Sequence, residues 1–111
     1  MASPSLQACI DACHACAAAC NHCAAACLHE DDVRRMARCV ALDMDCAAAC
    51  QLTAGAAARG SEGIGAIAAL CAELCDACGA ECGKHRHDHC QACAAACRRC
   101  AEACRKVSVG T

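Results

Sequence analysis

The sequence CIDACHACAAACNHCAAAC, residues 9–27, carries the strongest structural signal in this chain. Its cysteines recur at alternating steps of four and three residues. This is the spacing of the a and d positions of a heptad, which share one face of an α-helix. The stretch therefore predicts a helix that carries a single stripe of thiols.

The same register returns in three later segments of the chain. The pentapeptide Cys-Ala-Ala-Ala-Cys occurs four times, beginning at residues 16, 23, 46 and 93. In the second segment Asp43 stands at the step where the register would place a cysteine. The cysteines that form the four stripes are Cys9, Cys13, Cys16, Cys20, Cys23, Cys27, Cys39, Cys46, Cys50, Cys71, Cys75, Cys78, Cys82, Cys90, Cys93, Cys97, Cys100 and Cys104.

Breaks between the stripes set the expected limits of the helices. Ser3 and Pro4 suit an N-cap followed by proline at the first helical position, and Gly83 suits the end of the third helix. The predicted helices span about residues 4–28, 32–57, 61–83 and 88–107 of a single domain, residues 1–111. Because the connections are short, neighbouring helices should be antiparallel. The expected fold class is therefore all-α, an antiparallel up-down-up-down four-helix bundle with a Cys-lined interior.

The residues available to fill such a bundle are small. Hydrophobic residues make up 59% of the 111 positions, most of them Ala or Cys, and Phe, Trp and Tyr are absent. Small side chains do not fill the space between packed helices at the density of a normal protein core. The composition therefore predicts a channel along the axis of the bundle, which something other than side chains has to fill.

The density of cysteine indicates metal binding. Eighteen cysteines in a short chain would suit a secreted disulfide scaffold, but residues 1–9 show no basic region followed by an apolar stretch, as a secretory signal requires. In the reducing cytoplasm, which we therefore expect, such thiols bind metal rather than form disulfides. No apolar run approaches the ~20 residues of a membrane span. A net charge of −2 with both signs interspersed gives no reason to expect nucleic acid as a partner.

Charge selects among the metals that thiolates bind. Soft thiolates suit Cu(I), Zn(II) and iron–sulfur clusters. One Cu(I) per thiolate leaves the lining nearly neutral, whereas Zn(II) in four-thiolate sites leaves about two uncompensated negative charges per site, which are costly in a dry interior. We therefore expect multiple Cu(I) ions, roughly one per Cys. Natural two-thiolate sites within single helices are Cys9/Cys13, Cys16/Cys20, Cys23/Cys27, Cys46/Cys50 and Cys93/Cys97.

The a/d register of each helix, here called its seam, continues beyond its last cysteine. The residues that occupy the seams there differ between the two ends of the bundle. One end should be an apolar plug of Leu6, Thr53, Ala57, Ile64, Ile67 and Val107. Antiparallel packing brings Met36, His85 and His89 to the other end. Imidazole and thioether groups can pass Cu(I) to thiolates, so we expect copper to enter and leave through the histidine-bearing end.

Four residues besides the cysteines are candidate metal ligands. Asp43 lies on a thiol seam, where a carboxylate without a partner would be costly. His85, His87 and His89 lie just before the fourth helix, although histidines in such a polar loop can equally be solvated. Three further histidines, His14, His22 and His29, fall on the outward side of the first helix and are expected at the surface.

These features together resemble the bacterial copper storage proteins. The likeness rests on the Cys-Ala-Ala-Ala-Cys repeats, the four thiol-lined helices and the His-rich segment that runs into Cys90, and it extends from Leu6 to Lys106. The resemblance implies a four-helix bundle that stores many Cu(I) ions inside, from the cytosolic branch of the family, and a homo-oligomer, specifically a tetramer. A copper chaperone or a recipient cuproenzyme would be its partners. One departure from the pattern is that the second helix carries only three cysteines, so metal near Asp43 would have mixed ligation.

Three other functions compete with copper storage. The first is a zinc- or cadmium-binding detoxification protein with a metallothionein-like role. The second is electron transfer through an iron–sulfur cluster, but the ferredoxin spacing C-x2-C-x2-C-x3-C-P does not occur. The third is thiol–disulfide catalysis, which needs an exposed thiol of low pKa. Because the stripes point inward, we expect no enzyme and assign no catalytic residue.

Overall fold

The computed structural model describes residues 3–108, which form four α-helices. They are α1 (Pro4–Cys27), α2 (Ala37–Arg59), α3 (Ile64–Cys82) and α4 (Asp88–Ser108). A 3₁₀ turn, Val33–Met36, precedes α2. The molecule is a rod with principal extents of 46 × 18 × 18 Å.

Local sequence sets several of the helix ends. At the start of α1, the Ser3 hydroxyl accepts a hydrogen bond from the Leu6 amide at 3.2 Å, and Pro4 follows it at the first helical position. At the end of α2, Gly60 adopts a left-handed conformation with φ of 65°, which costs glycine little because it has no Cβ. The Ala-rich interiors of the helices have high helix propensity.

The second helix begins later than its cysteine register alone suggests. Residues 33–36 form the 3₁₀ turn instead of the first turn of α2. This turn leaves the Met36 side chain fully buried at one end of the thiol seam. A flexible thioether suits such an irregular position in a core.

Each helix packs against two others. The helix α1 lies against α2 and α4, and α3 lies against the same two helices. Successive helices run in opposite directions because only short segments join them. The predicted fold class, an all-α up-down-up-down bundle, is confirmed.

Cysteine and alanine make up most of the core. All 18 cysteine side chains have no exposed surface, and the largest fully buried side chains are Met36, Thr53 and Asp43. At one end Thr53, Ala57 and Val107 are buried, and Leu6 and Ile64 pack against the core. This end is therefore closed by apolar groups. No helix within residues 3–108 has the length and apolar character needed to cross a lipid bilayer.

The helices α3 and α4 approach closely at Gly79. A Cβ placed on Gly79 would lie 3.2 Å from Cys97 Cβ and 3.6 Å from the Ala94 carbonyl oxygen. The first distance is shorter than an ordinary contact between two carbon atoms, which is about 3.5–4.0 Å. A larger side chain at this position would therefore push α3 away from α4.

Substitution of Gly79 tests this close approach. We expect Gly79→Leu to lower the free energy of unfolding of the reduced, metal-free protein by about 1–3 kcal/mol, because overpacking outweighs the gain in helix propensity. Thermal unfolding followed by circular dichroism measures the effect. Ala80→Leu, at the exposed neighbouring position, is the matched control, and equal stability of the two variants would contradict the packing argument.

Candidate metal centre

The thiol lining is a continuous column inside the bundle. All 18 cysteines are free and buried, and each helix contributes its stripe to the same interior. The a and d positions of a heptad face the partners of a helix, so antiparallel packing directs all four stripes at one axis. The described residues thus hold all 18 thiol sulfur atoms in one enclosed space.

Sulfur atoms from different helices lie within contact of each other. Cys46 Sγ is 3.5 Å from Cys75 Sγ and 3.8 Å from Cys16 Sγ, and Cys93 Sγ is 3.6 Å from Cys20 Sγ. Pairs within one helix are also close, since Cys16 and Cys20 are 3.9 Å apart and Cys23 and Cys27 are 3.8 Å apart. The packing therefore adds cross-helix pairs that spacing along one helix does not reveal.

The thiols form overlapping groups of four. In each group the ligand atoms all lie within 4.8 Å of one another. Members are shared between groups, because Cys16, Cys20 and Cys97 each belong to more than one. The groups include Cys13/Cys71/Cys100/Cys104, Cys16/Cys46/Cys50/Cys75, Cys16/Cys20/Cys46/Cys97, Cys20/Cys78/Cys93/Cys97 and Cys23/Cys27/Cys39/Cys90.

These separations suit bridged multi-metal clusters. With metal–sulfur bonds of about 2.3 Å, two thiolates on opposite sides of one metal would be about 4.6 Å apart, and three around one metal about 4.0 Å apart. The closest contacts, such as the 3.7 Å between Cys13 and Cys100, are nearer to the second value. Small side-chain movements would therefore let one thiolate bridge two metals along the column.

Among residues 3–108, Asp43 is the one carboxylate that contacts the thiols of the column. It is fully buried, and its Oδ1 accepts hydrogen bonds from the thiols of Cys78 at 3.2 Å, Cys93 at 3.2 Å and Cys82 at 3.4 Å. Burial, which disfavours the charged form, raises the pKa of Asp43 to about 6. Thiols of three helices surround the Asp43 carboxylate. Asp43 therefore lies among candidate metal ligands, at the position that the cysteine register predicts.

Burial also affects the thiols. It raises the pKa of Cys39 to about 11 and raises that of Cys90 further. These two thiols are therefore protonated at neutral pH in the metal-free protein. A metal ion that binds them has to displace their protons, which makes metal uptake dependent on pH.

One of the three predicted histidine ligands reaches the thiols. His89 Nδ1 lies 3.5 Å from Cys90 Sγ, 3.6 Å from Cys23 Sγ and 3.8 Å from Cys27 Sγ. Its other ring nitrogen, Nε2, is 2.7 Å from Glu30 Oε2. A carboxylate on the far nitrogen fixes the orientation of a ligating imidazole, so the position of His89 suits a ligand at the end of the column.

His85 and His87 instead contact carboxylates. His85 Nε2 is 2.9 Å from Glu81 Oε2, and His87 bridges Glu30 and Asp32 at 3.0 Å and 3.2 Å. His87 also stacks on His89, with ring centroids 5.3 Å apart. Within residues 3–108 neither histidine is in hydrogen-bonding contact with a thiol. The structure thus separates the three histidines into one beside the column and two outside it.

Sequence analysis missed the carboxylates that hold these histidines. Glu81 is almost fully buried and binds Arg38 at 3.1 Å as well as His85. The hydrogen bond from His85 is the main reason why the pKa of Glu81 is lowered. Glu30 and Asp32 come from the segment between α1 and α2, far from the histidines in sequence, so no local pattern could pair them. The remaining histidines, on α1 and just after it, are exposed as expected.

The chain matches a known protein family over nearly its whole length. A sequence model described as copper storage protein (Csp) matches residues 2–109. A cysteine-rich protein of Bacillus subtilis is 51% identical over 90 residues, covering 81% of this chain and 83% of that protein.

Solved structures share the fold. The Cu(I)-bound copper storage protein BsCsp3 is 50% identical, with a TM-score of 0.89 and coverage of 94% of this chain and 98% of that one. A cytosolic copper storage protein from Streptomyces lividans, loaded with five coppers, is 41% identical with a TM-score of 0.93 and covers 96% and 94% of the two chains.

The buried Asp43 gives the metal-free protein a pH-dependent stability. Because its pKa is raised to about 6, the native state keeps a proton that the unfolded state has lost, and this stabilising contribution disappears as the pH rises through 6. Between pH 5 and pH 7 we expect the free energy of unfolding to fall by about 1 kcal/mol more in the wild type than in Asp43→Asn. Thermal unfolding of reduced protein at the two pH values measures this.

The control for this prediction is Asp45→Asn. Asp45 is an exposed carboxylate on the same helix, so Asp45→Asn makes the same substitution without touching the column and should keep the pH dependence of the wild type. A pH dependence that is the same in Asp43→Asn as in the wild type would show that Asp43 is not the group responsible.

Proposed function

The chain belongs to the copper storage protein family, and on that premise we propose that its store consists of the 18 buried cysteines, which bind many Cu(I) ions as thiolates in the cytosol. The observation that carries the proposal is the column of overlapping four-thiol groups. We infer the cytosolic location from the similarity to the cytosolic copper storage protein of Streptomyces lividans. A related structure of that protein is loaded with 10 copper equivalents, which supports a multi-ion store.

The charges inside the bundle support Cu(I) over a divalent metal. Among residues 3–108 the only buried ionisable groups besides the thiols are Asp43 and Glu81, both of them acids, and every Lys and Arg is exposed. Divalent ions in four-thiolate sites would leave a negative charge that no buried cation balances. Cu(I) replaces each thiol proton by one positive charge, so the column stays close to neutral. No feature of the described residues favours zinc or cadmium.

The ligand roles beyond the cysteines follow from position. We assign Asp43 as a carboxylate ligand in a site that otherwise consists of thiolates, because its Oδ1 accepts hydrogen bonds from three thiols. His89 is assigned as the ligand at the open end, since its Nδ1 faces three others. His85 and His87 are outer residues that contact incoming copper before it reaches the thiols. We assign no catalytic residue, which agrees with a storage function.

Association into a homotetramer is part of the proposal. Four large apolar side chains lie half exposed or more on the described surface, namely Leu28, Met44, Leu52 and Leu70. Burying such groups between copies would stabilise an oligomer. A copper chaperone that delivers Cu(I), or a cuproenzyme that receives it, would approach the histidine-bearing end, which is the end without the apolar plug.

An anaerobic titration tests the storage proposal. Reduced, metal-free protein titrated with Cu(I) against a chromogenic chelator should take up roughly one Cu(I) per thiol. Circular dichroism of the same samples should show that the protein is helical before copper is added. A variant in which Cys16, Cys20, Cys46 and Cys97 are replaced by Ser should lose roughly four ions of capacity. Saturation of the wild type at one or two equivalents would refute the store.

The histidine assignment makes a separate prediction about rates. We expect His89→Ala to slow Cu(I) uptake and chelator-driven removal by about tenfold, because a ligand at the end of the column controls the passage of copper. The capacity should change by one ion or less, because His89 is a single ligand beside 18 thiols. His22→Ala, on the exposed face of α1, is the control. Unchanged rates in His89→Ala would exclude His89 from the path of copper.

A further inference from the structure

A half-open cleft lies beside the histidines at the open end. It encloses about 460 Å³, within the size range of small-molecule sites. Its walls come from the 3₁₀ turn before α2 and from the loop between α3 and α4. The lining residues are Asp32, Arg35, Lys84, His85, Arg86 and His87; we refer to this site as the arginine cleft.

The arginine cleft has an excess of positive charge. Three of its six lining residues are permanent cations, and only Asp32 is an acid. Asp32 and the neighbouring Glu30 are engaged by His87, and Glu81 is engaged by Arg38, Lys84 and His85. Within residues 3–108 neither Arg35 nor Arg86 forms an ion pair, so both guanidinium groups are available to an incoming anion.

The cleft also leads to the thiols. His87 forms part of its wall and stacks on His89 with ring centroids 5.3 Å apart. The Nδ1 atom of His89 is 3.5 Å from Cys90 Sγ. Only the stacked rings of His87 and His89 would therefore separate a ligand in the cleft from the first sulfur atoms of the column.

We propose that the arginine cleft binds the incoming copper as a small anionic complex, Cu(I) held by two thiolates of a low-molecular-mass carrier. Two thiolates around one Cu(I) carry a net negative charge, and carboxylates on the carrier add to it. Arg35 and Arg86 recognise this charge, because guanidinium groups bind carboxylates in two-point geometry. The proposal rests on the copper-storage function and specifies the form in which copper arrives.

Transfer from the cleft is a ligand exchange without a change in oxidation state. Two Cu–S bonds to the carrier break, and two Cu–S bonds to protein sulfur atoms form. In the filling column one of these two sulfur atoms belongs to a thiol, which gives its proton to a departing carrier thiolate, and the other belongs to a thiolate that bridges to a Cu(I) already bound. The second carrier thiolate takes a proton from solvent, so each Cu(I) replaces one protein proton and the column stays nearly neutral. The released carrier thiols no longer carry the negative charge of the copper–dithiolate centre, so they bind the cleft more weakly and leave it.

The proposal predicts that the uptake rate depends on the charge of the donor. Metal-free, reduced protein is mixed anaerobically at low ionic strength with Cu(I) complexes of glutathione, 2-mercaptoethanol or cysteamine, in order of decreasing negative charge. Stopped-flow absorption records the formation of protein-bound clusters. We expect Arg35→Ala/Arg86→Ala to slow uptake from the glutathione complex by about tenfold and uptake from the cysteamine complex by less than about twofold. Salt at about 0.5 M should remove the difference between the donors.

The matched control is Arg98→Ala/Arg99→Ala. It removes the same two charges from an exposed stretch in the middle of α4, about 15 Å along the helix from its first residue, and should leave all three rates within about twofold of the wild type. Equal slowing for all three donors, or equal effects of the two double variants, would overturn the role of the cleft. The endpoint capacity is measured in the same samples; full capacity with charge-independent rates refutes only the cleft, whereas low capacity in the wild type refutes the storage proposal itself.

Discussion

The whole structure depends on one constraint, namely that cysteine occupies most of the inward-facing a and d positions of all four helices. A stripe of thiols on each helix can be buried only against other stripes, which produces a bundle with sulfur along its axis. Because the other core residues are mostly alanine, large apolar side chains contribute little to the interior. The atoms that fill the core are therefore also the atoms that can bind metal.

The two ends of the bundle give this column a direction. Thr53, Ala57 and Val107 are buried at one end and, among residues 3–108, continue the seams there in place of cysteine or histidine. At the other end carboxylates of the α1–α2 segment and of α3 hold three imidazoles, and one imidazole faces the thiols. This asymmetry supports our proposal that copper enters and leaves at the histidine-bearing end.

Charge balance explains how so many thiolates can share one dry space. The thiols of Cys39 and Cys90 stay protonated without metal, because burial raises their pKa. A monovalent ion that replaces a proton leaves the local charge unchanged, so filling the column adds no electrostatic penalty. Asp43 departs from this rule, and its own pKa near 6 shows the cost of holding a carboxylate among thiols.

The sequence by itself determined the helices, the bundle, the burial of the cysteines and the preference for Cu(I), since a strict heptad register fixes which face of each helix is inward. It also placed Asp43 on a seam. Only the tertiary structure decided which thiols are neighbours across helices, that His89 rather than His85 or His87 reaches them, and that Glu81 and Arg35 border the open end. The physical reason is that periodicity specifies rotation about a helix axis. The axial offset between helices and the course of the loops depend on packing contacts between segments distant in sequence.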